Sequence, residues 1–436
     1  MRSKNFVNDK QTRFRWVMIG LLFFITVINY MDRSSISYAV DIIAKEFDFT
    51  DTQIGLILGA FGIGYVIATF IGGILVDRYG AKRTLFSSVI FWSVALILTA
   101  LSSGFGMLFI ARALLGLAEG PNFPGLTRVV SDWLSVRERT RALSYGLMAV
   151  PIGLAIGAPV VSQLIIHLTW RGMFFVLAAL ALMWLPFWVI LFRDVPNESK
   201  HVNKAELLHI HEGIEKPTLN ANEILLKRKS VVGLWSFLFT DKTLLTNYWS
   251  FFVFGYFLFF FMGWLPSYLS QVYHLQLHAI GLFSILPWVL GAILMWLGGY
   301  ISDKVYLKTN NFRASRTHLI WISQLLAGLC VLPVVFTHEL YVAIVFISLA
   351  VGFILSANGA YYAVNIDIAK ERSATAMGIM DACFALAGFA APVVTGCLVT
   401  VTGHFSAAFV LLTLLALSSV ILVLCFHRPK VNLNFS

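Results

Sequence analysis

The stretch Asn29-Tyr30-Met31-Asp32-Arg33 places a carboxylate and a guanidinium side by side inside a long apolar run of the chain. No charged residue occurs from Trp16 to Met31, so the pair lies deep in a segment that has the composition of a membrane-spanning helix. A charged side chain in hydrocarbon costs at least about 2.5 kcal/mol on insertion scales. We therefore expect Asp32 and Arg33 to face other charged groups or a water-filled cavity.

The composition of the whole chain indicates an α-helical membrane protein. Of its 436 residues, 58% are hydrophobic and only 12% are charged, whereas soluble domains carry about 25% charged residues. The apolar runs are about 20 residues long, which is the length of a helix that crosses about 30 Å of hydrocarbon. A β-barrel would instead show short segments of alternating hydrophobicity.

The net charge of +10 does not indicate a nucleic-acid-binding protein, because the basic residues concentrate in alternate loops. Lysine and arginine crowd the N-terminal segment, the central loop and the other loops predicted on the same side. Only Lys45 and Arg171 fall in loops on the opposite side. Basic residues mark the cytoplasmic side of a membrane protein, so the pattern predicts that both termini are cytoplasmic.

Twelve spans are predicted, in two groups of six. They occupy residues 16–38, 53–76, 84–103, 106–130, 141–166, 171–192, 243–270, 279–301, 315–336, 339–363, 374–401 and 404–426. The polar stretch between the groups predicts a first bundle at residues 1–192, a cytoplasmic central loop at 193–242 and a second bundle at 243–436. Within the loop, the segment Lys204-Ala205-Glu206-Leu207-Leu208-His209 is expected to form a short amphipathic helix on the cytoplasmic surface.

The sequence carries no signal of an enzyme or of a cofactor. It has no nucleophile–base or metal-ligand spacing and no Gly-x-x-x-x-Gly-Lys-Ser/Thr loop for nucleotide phosphates. Its four cysteines lie in apolar runs and are interpreted as packing residues: Cys330, Cys383, Cys397 and Cys425. We therefore predict a protein that is not an enzyme and that uses neither a metal nor a cofactor.

A loop motif is repeated after the second span of each half. The chain reads Gly73-Ile-Leu-Val-Asp77-Arg78-Tyr-Gly80-Ala-Lys82-Arg83 in the first half and Gly299-Tyr-Ile-Ser-Asp303-Lys304 in the second. The glycine is expected to permit a close approach of two helices, and the aspartate to pair with basic residues or cap the next helix. We predict a conformational gating role for Gly73, Asp77, Arg78, Gly80, Lys82, Arg83 and Asp303.

Twelve spans, a charged central loop and the repeated motif resemble the major facilitator superfamily. Within it, the Asn29-Tyr30-x-Asp32-Arg33 stretch, the run from Arg112 through Glu119-Gly-Pro121 to Pro124, and Trp264-Leu-Pro266-Ser-Tyr268 resemble the anion:cation symporter family. Its members include bacterial galactonate, glucarate and hexuronate importers and, more distantly, the vesicular glutamate transporters and sialin. The resemblance implies a monomer in the inner membrane, with two six-helix bundles that rock around a site near the membrane midplane.

Arg112 and Glu119 are the charged residues that we expect to meet Asp32 and Arg33. They are seven residues apart, so on one helix they share a face and lie about 10 Å apart along its axis. Two guanidiniums at similar depth form a clamp for an anion. An anion that binds the arginines competes with the two carboxylates, which then take up protons more readily, so anion and proton binding are linked. The alternative is a pair of static ion bridges between spans 1 and 4.

The resemblance assigns further roles to residues of this chain. It implies that Asp32 and Glu119 couple to protons and that Arg33 and Arg112 bind the anion, with Tyr30 and Tyr65 lining the cavity, although either tyrosine is also read as a core aromatic. The second half departs from the galactonate-type pattern, since span 10 carries tyrosines in place of hydroxyl-bearing Ser/Thr and span 11 carries an aspartate in place of an asparagine. The substrate contacts predicted there are Asn358, Tyr361, Tyr362, Asp381 and Trp264, with packing roles as the alternative for each.

Taken together, these features predict a proton-coupled symporter that imports a small organic anion, most simply a sugar acid such as a hexonate or hexuronate. Its partners are the anion, protons and the lipid bilayer. Importers of another carboxylate, a drug-efflux antiporter and a membrane sensor without transport stay open as alternatives. Buried arginines argue against cationic drugs, and the central loop and tails are too short for a folded signalling domain.

Overall fold

The structure, a computed structural model, describes residues 11–212, 237–369 and 373–428. Within these ranges the chain forms helices and no β-strand. A 3-10 turn at Pro196–Glu198 and a π-helical turn at Arg313–Thr317 accompany the α-helices. The α-helices are α1 (Phe14–Phe47), α2 (Asp51–Ala100), α3 (Phe105–Glu119), α4 (Asn122–Trp133), α5 (Val136–Leu191), α6 (Lys204–Ile210), α7 (Lys242–Tyr273), α8 (Leu277–Phe283), α9 (Ile285–Thr309), α10 (His318–Phe336), α11 (Leu340–Ser356), α12 (Asn358–Ala369), α13 (Ser373–Thr402) and α14 (Ser406–Phe426).

Ten helical segments of the described ranges are long and apolar enough to cross a membrane. The helix α5 turns at Thr169, where φ is 69°, so its two halves make separate crossings. The helices α3 and α4 together make one further crossing, which is interrupted at Pro121 because proline has no N–H to donate and breaks the helix ladder. The helices therefore accommodate the twelve predicted crossings, and the prediction of an all-α fold with two bundles is confirmed.

The two ends of the molecule are told apart by the turns that they carry. We call the end that carries Phe14 and Phe426 the proximal face, and the opposite end, which carries Asp48 and His274, the distal face. Both of the latter residues adopt the left-handed conformation, with φ of 55° and 53°, and end α1 and α7.

Polar contacts join the two bundles near the distal face. The Thr52 hydroxyl of α2 donates to the Thr400 hydroxyl of α13 over 2.8 Å. The Ser267 hydroxyl of α7 donates to the Asp41 carboxylate of α1 over 2.9 Å. The bundles are thus held together on this side of the molecule.

Three glycines of α2 bring that helix against α13 in the distal half. A Cβ atom built on Gly55 would lie 2.6 Å from the Pro392 carbonyl oxygen, and one built on Gly62 would lie 2.5 Å from the Phe389 backbone nitrogen. A Cβ on Gly59 would lie 2.8 Å from the Val393 side chain. Only glycine permits helices to approach so closely, so these positions determine how tightly the distal face closes.

The short helix predicted in the central loop is present as α6, but it does more than lie on a surface. Its Glu206 side chain is fully buried and accepts hydrogen bonds from the Thr12 hydroxyl, the backbone N–H groups of Phe14 and Arg15, and the Arg15 guanidinium. The carboxylate thereby caps the N-terminus of α1, where free N–H groups and the helix dipole favour negative charge. Arg15 also bridges to Glu138 at the start of α5, so α6 belongs structurally to the first bundle.

Candidate functional site: a buried charge cluster beside the bundle interface

The buried charge cluster consists of Asp32, Arg33, Arg112 and Glu119. Arg33 lies at its centre and is paired with Glu119. The Glu119 carboxylate accepts hydrogen bonds from Arg33 Nη2 over 3.0 Å and from Arg33 Nε over 3.2 Å. The Asn29 side-chain oxygen, one helical turn earlier on α1, accepts a further bond from Nη2 over 3.3 Å. Arg33 is 2% exposed and Glu119 is fully buried, so this ion pair is shielded from water.

Three aromatic rings enclose the Arg33 guanidinium. Its central carbon lies 4.4 Å from the Tyr30 ring centre, 4.5 Å from that of Phe61 and 4.6 Å from that of Tyr65. Such cation–π contacts stabilise a desolvated guanidinium by about 2 kcal/mol. The rings cover the faces of the guanidinium, so its N–H groups can bond only in their own plane, toward Glu119 or toward a guest molecule.

Arg112 and Asp32 complete the cluster without pairing directly with each other. Arg112 Nη2 donates to the backbone carbonyl of Arg33 over 3.2 Å. Asp32 accepts a bond from the Trp92 indole over 2.6 Å. Both side chains are buried, and electrostatic interactions link Asp32 to Glu119 and to Arg112. The structure therefore brings the four predicted charged residues together, with Trp92 as a partner that the sequence did not reveal.

The cluster holds more hydrogen-bonding capacity than its own members use. Buried side-chain atoms without a partner are Arg33 Nη1, Arg112 Nε and Nη1, Glu119 Oε1 and Asp32 Oδ1. Leaving such a group unpaired costs about 1–3 kcal/mol, and more when it is charged. Three of these unpaired atoms are guanidinium nitrogens of two adjacent arginines. Their N–H groups therefore offer a binding site for a carboxylate or a similar anion.

A small cavity borders both guanidiniums at the interface of the bundles. It is lined by Ile36, Ser37, Leu58 and Phe61 of the first bundle and by Phe259, Met262, Gly263 and Pro392 of the second, together with Arg33 and Arg112. Its volume of about 20 Å³ holds a water molecule but no organic anion. In this conformation the distal side of the cluster is closed. Sequence reasoning missed the lining residues of the second bundle, since apolar residues in a span carry no signal of a site.

Two of the contacts predicted in the second bundle face the cluster. Tyr362 of α12 and Asp381 of α13 lie within hydrogen-bonding range of each other, and both are only partly buried. Asp381 interacts electrostatically with Tyr65, and Tyr362 with Tyr30 and Tyr65, so the pair lies opposite the aromatic rings around Arg33.

The other three predicted contacts turn away from the cluster. The Tyr361 hydroxyl accepts a bond from Gln324 over 2.8 Å inside the second bundle, and the Trp264 indole donates to the Pro392 carbonyl over 3.2 Å. Both residues are fully buried. Asn358 bonds the Met295 sulfur at the junction of α11 and α12. In this conformation the polar atoms of Tyr361 and Trp264 are bonded within their own bundle, so their substrate contacts stay a prediction.

The repeated loop motif shows a close helix approach one residue earlier than predicted. A Cβ on Gly73 would meet nothing within 4 Å, whereas one on Gly72 would lie 2.8 Å from Pro121. The second half shows the same offset, since a Cβ on Gly299 would meet nothing within 4 Å and one on Gly298 would collide with the Ser356 carbonyl oxygen. The motif glycines of the prediction are therefore corrected to Gly72 and Gly298.

The charged residues of the motif bind within their own bundles. Asp77 pairs with Arg128 of α4 over 3.4 Å, and Asp303 pairs with Arg316 over 2.8 Å. Arg78 lies over the Tyr79 ring, and Arg83 is exposed.

Gly80 marks the turn between the second and third crossings. It has a φ of 81°, and a Cβ there would lie 2.8 Å from the Asp194 carboxylate. That carboxylate accepts the backbone N–H of Lys82 over 2.9 Å. Asp194 thus caps the third crossing, and only glycine fits the turn.

Comparison with known proteins assigns this chain to one family. The family model of the Major Facilitator Superfamily matches residues 22–366. The chain is 32% identical to the hexuronate transporter of Bacillus subtilis (95% of each chain covered) and 31% identical to the probable galactarate/D-glucarate transporter GudP of Escherichia coli (98% and 96% covered). It is 30% identical to the probable sulfoacetate transporter SauU of Cupriavidus necator (91% and 90% covered).

A solved structure has the same fold at much lower identity. The chain aligns with a bacterial homolog of the human lysosomal transporter Spinster, in an inward-facing and occupied conformation, with a TM-score of 0.73, 16% identity and 96% coverage of each chain. The protein belongs to the major facilitator superfamily, and it is a transporter, not an enzyme. The resemblance to anion transporters noted in the sequence is confirmed.

Proposed function

We propose that this protein is a proton-coupled symporter that imports a small organic anion, a sugar acid of the hexonate or hexuronate class, by alternating access. The observation that carries the proposal is the buried Arg33–Glu119 ion pair with Arg112 beside it, in which three guanidinium nitrogen atoms lack partners. Two arginines next to two carboxylates form a site where a guest anion competes with the carboxylates for the guanidiniums, while protons bind the carboxylates that the anion displaces.

The coupling follows from the balance of charge in the cluster. With both arginines and both carboxylates ionised, the cluster is neutral. An anion that binds Arg33 and Arg112 displaces Glu119 from its partner and leaves one negative charge uncompensated in a shielded site. Protonation of Glu119 or Asp32 restores neutrality, so each ligand favours the binding of the other, as linkage requires. Import of the pair then uses the proton gradient.

The sugar-acid class is supported by relatives that are similar over nearly the whole chain. Two of them are named for hexuronate and for galactarate/D-glucarate. A third is named for sulfoacetate, an anion that two arginines would also bind, so sulfoacetate belongs in any panel of substrates.

The orientation in the membrane is part of the proposal. Basic residues concentrate in the loops of the proximal face, while Lys45 and Arg171 lie near the distal face. The positive-inside rule then makes the proximal face and both termini cytoplasmic. All four charged residues come from one chain, which supports a functional monomer in the inner membrane.

Uptake by purified protein in proteoliposomes tests the proposal. We expect accumulation of a radiolabelled hexuronate or hexonate when the outside is made acidic, and none when the pH gradient is dissipated. The variant Glu119→Gln should lose gradient-driven accumulation but keep exchange of labelled for unlabelled anion. The matched control Glu339→Gln changes an exposed glutamate of the distal face and should transport normally.

Three outcomes would contradict the proposal. Full gradient-driven accumulation by the Glu119→Gln variant would show that Glu119 does not couple transport to protons. Extrusion of amphipathic cations would indicate an efflux antiporter. If no anion of the substrate panel were transported and none raised the thermal stability of the protein, a sensor without transport would be favoured.

A further inference from the structure

The second bundle contributes a carboxylate opposite the arginines, and the charge balance above does not use it. Asp381 lies on α13 and is only partly buried, although it is inside a predicted span, in the third of it that is nearest the proximal face. The Tyr362 hydroxyl lies within hydrogen-bonding range of its carboxylate. A carboxylate has about four lone-pair positions, so Asp381 keeps acceptor capacity for another donor.

Helix geometry places Asp381 on the proximal side of the aromatic rings. Gly62 of α2 packs on Gly388 of α13. Tyr65 follows Gly62 by three residues, about 4.5 Å toward the proximal face, and Asp381 precedes Gly388 by seven residues, about 10 Å in the same direction. Asp381 is therefore about one helical turn beyond Tyr65, and Tyr65 itself touches the Arg33 guanidinium.

The site thus has two unlike ends, separated by tyrosine rings. The arginine end attracts a carboxylate. The Asp381 end repels a second negative charge and accepts hydrogen bonds from hydroxyl groups. A monoanion with hydroxyl groups at its far end satisfies both ends, whereas a dianion brings like charges together, which strongly disfavours binding.

We propose that Asp381 is a specificity-determining residue that selects polyhydroxy monoanions and rejects dianions of the same length. This inference rests on the proposed function, since it concerns the orientation of the transported anion in the same site. Family membership does not decide whether the transported anion carries one or two negative charges, because relatives are named both for hexuronate and for galactarate/D-glucarate.

The pair D-gluconate and D-glucarate provides the test, because the two differ only in a terminal CH₂OH or carboxylate. Their apparent affinities are measured as inhibition of labelled exchange in proteoliposomes at pH 7. For the unmodified protein we expect gluconate to bind at least tenfold more tightly than glucarate. In Asp381→Asn this ratio should fall at least tenfold, chiefly because glucarate binds more tightly.

Two control variants separate charge from packing. Asp367→Asn neutralises an exposed aspartate near the proximal end of α12 and should leave the ratio unchanged. Tyr362→Phe keeps the Asp381 charge and the ring, so it should still discriminate against glucarate. If Asp381→Asn does not fold, equal affinity for gluconate and glucarate in the unmodified protein would still overturn the inference.

The outcomes distinguish this inference from the proposed function. Equal affinity for gluconate and glucarate, or a ratio unchanged in Asp381→Asn, overturns the role of Asp381 while anion transport stands. Exchange of no organic anion by the unmodified protein overturns the proposed function itself, and the inference with it.

Discussion

Closure of the distal face depends on a glycine that leaves no room for a methyl group. A Cβ at Gly62 would lie 2.5 Å from the Phe389 nitrogen and 2.6 Å from the Gly388 carbonyl carbon, whereas ordinary contacts of this kind begin near 3.4 Å. Backbone atoms cannot rotate out of the way. We therefore expect Gly62→Ala to separate α2 from α13 by about 1 Å and to disfavour the conformation with a closed distal face.

The size of the effect can be estimated from the cost of overpacking. An inserted methyl group in a tightly packed contact costs about 1–3 kcal/mol. In an equilibrium between conformations open on one side or the other, that range corresponds to a population shift of about 5- to 150-fold. Uptake should slow, because each transport cycle must pass through the conformation that the variant destabilises.

Pulsed electron paramagnetic resonance measures this shift directly. Spin labels on cysteines introduced at Lys45 and His404, both exposed at the distal face, report the distance between the bundles in a background without the native cysteines. Gly62→Ala should increase the population at longer distances. Gly20→Ala is the matched control, because a Cβ at Gly20 meets nothing within 4 Å. An unchanged distance distribution in folded Gly62→Ala would refute the reasoning.

Three further changes have expected outcomes. Arg33→Lys keeps the positive charge but loses the planar fork and the fit between three rings, so the apparent affinity for the transported anion should fall at least tenfold in exchange assays. Glu206→Gln should lower the free energy of unfolding by about 2–4 kcal/mol at pH 7, measured by denaturation in detergent. Burial alone would raise the pKa of Glu206, but bonds from Thr12 and from the start of α1 outweigh it and hold the pKa below its usual 4.5. The stabilisation is therefore complete above about pH 4.5, and the difference between the two proteins should vanish as the pH falls through the folded-state pKa. Gly72→Ala should lower thermal stability, while Gly73→Ala should not, which a melting curve of each purified variant will show.

The sequence predicted which charged residues meet, because charge in an apolar segment is rare and helix periodicity is regular. Arg112 and Glu119 share a helix face at a spacing of seven, and this was enough to expect them beside Asp32 and Arg33. The individual pairings were not predictable. Asp32 bonds the Trp92 indole, and a tryptophan in a membrane span looks like any other apolar residue.

Positions that depend on contact between helices were harder to predict than positions within one helix. Of the adjacent glycines, the sequence favoured Gly73 as the packed residue, but Gly72 faces Pro121. A difference of one residue turns the helix by about 100°, and the motif spacing does not show which face meets a neighbour. Asp194 was missed for the same reason, since its place under Gly80 arises from folding of the chain between distant residues.

The aromatic enclosure of Arg33 and its pairing with Glu119 involve side chains of the first bundle alone. Under the two proposals above, proton coupling and anion binding depend on the first half of the polypeptide, while selection among anions depends on Asp381 of the second. We expect a chimera of this protein's first half with the second half of a dicarboxylate carrier to have the substrate specificity of that carrier and to remain coupled to protons. Gene duplication and recombination could then change the substrate specificity of such transporters without changing the residues that couple transport to protons.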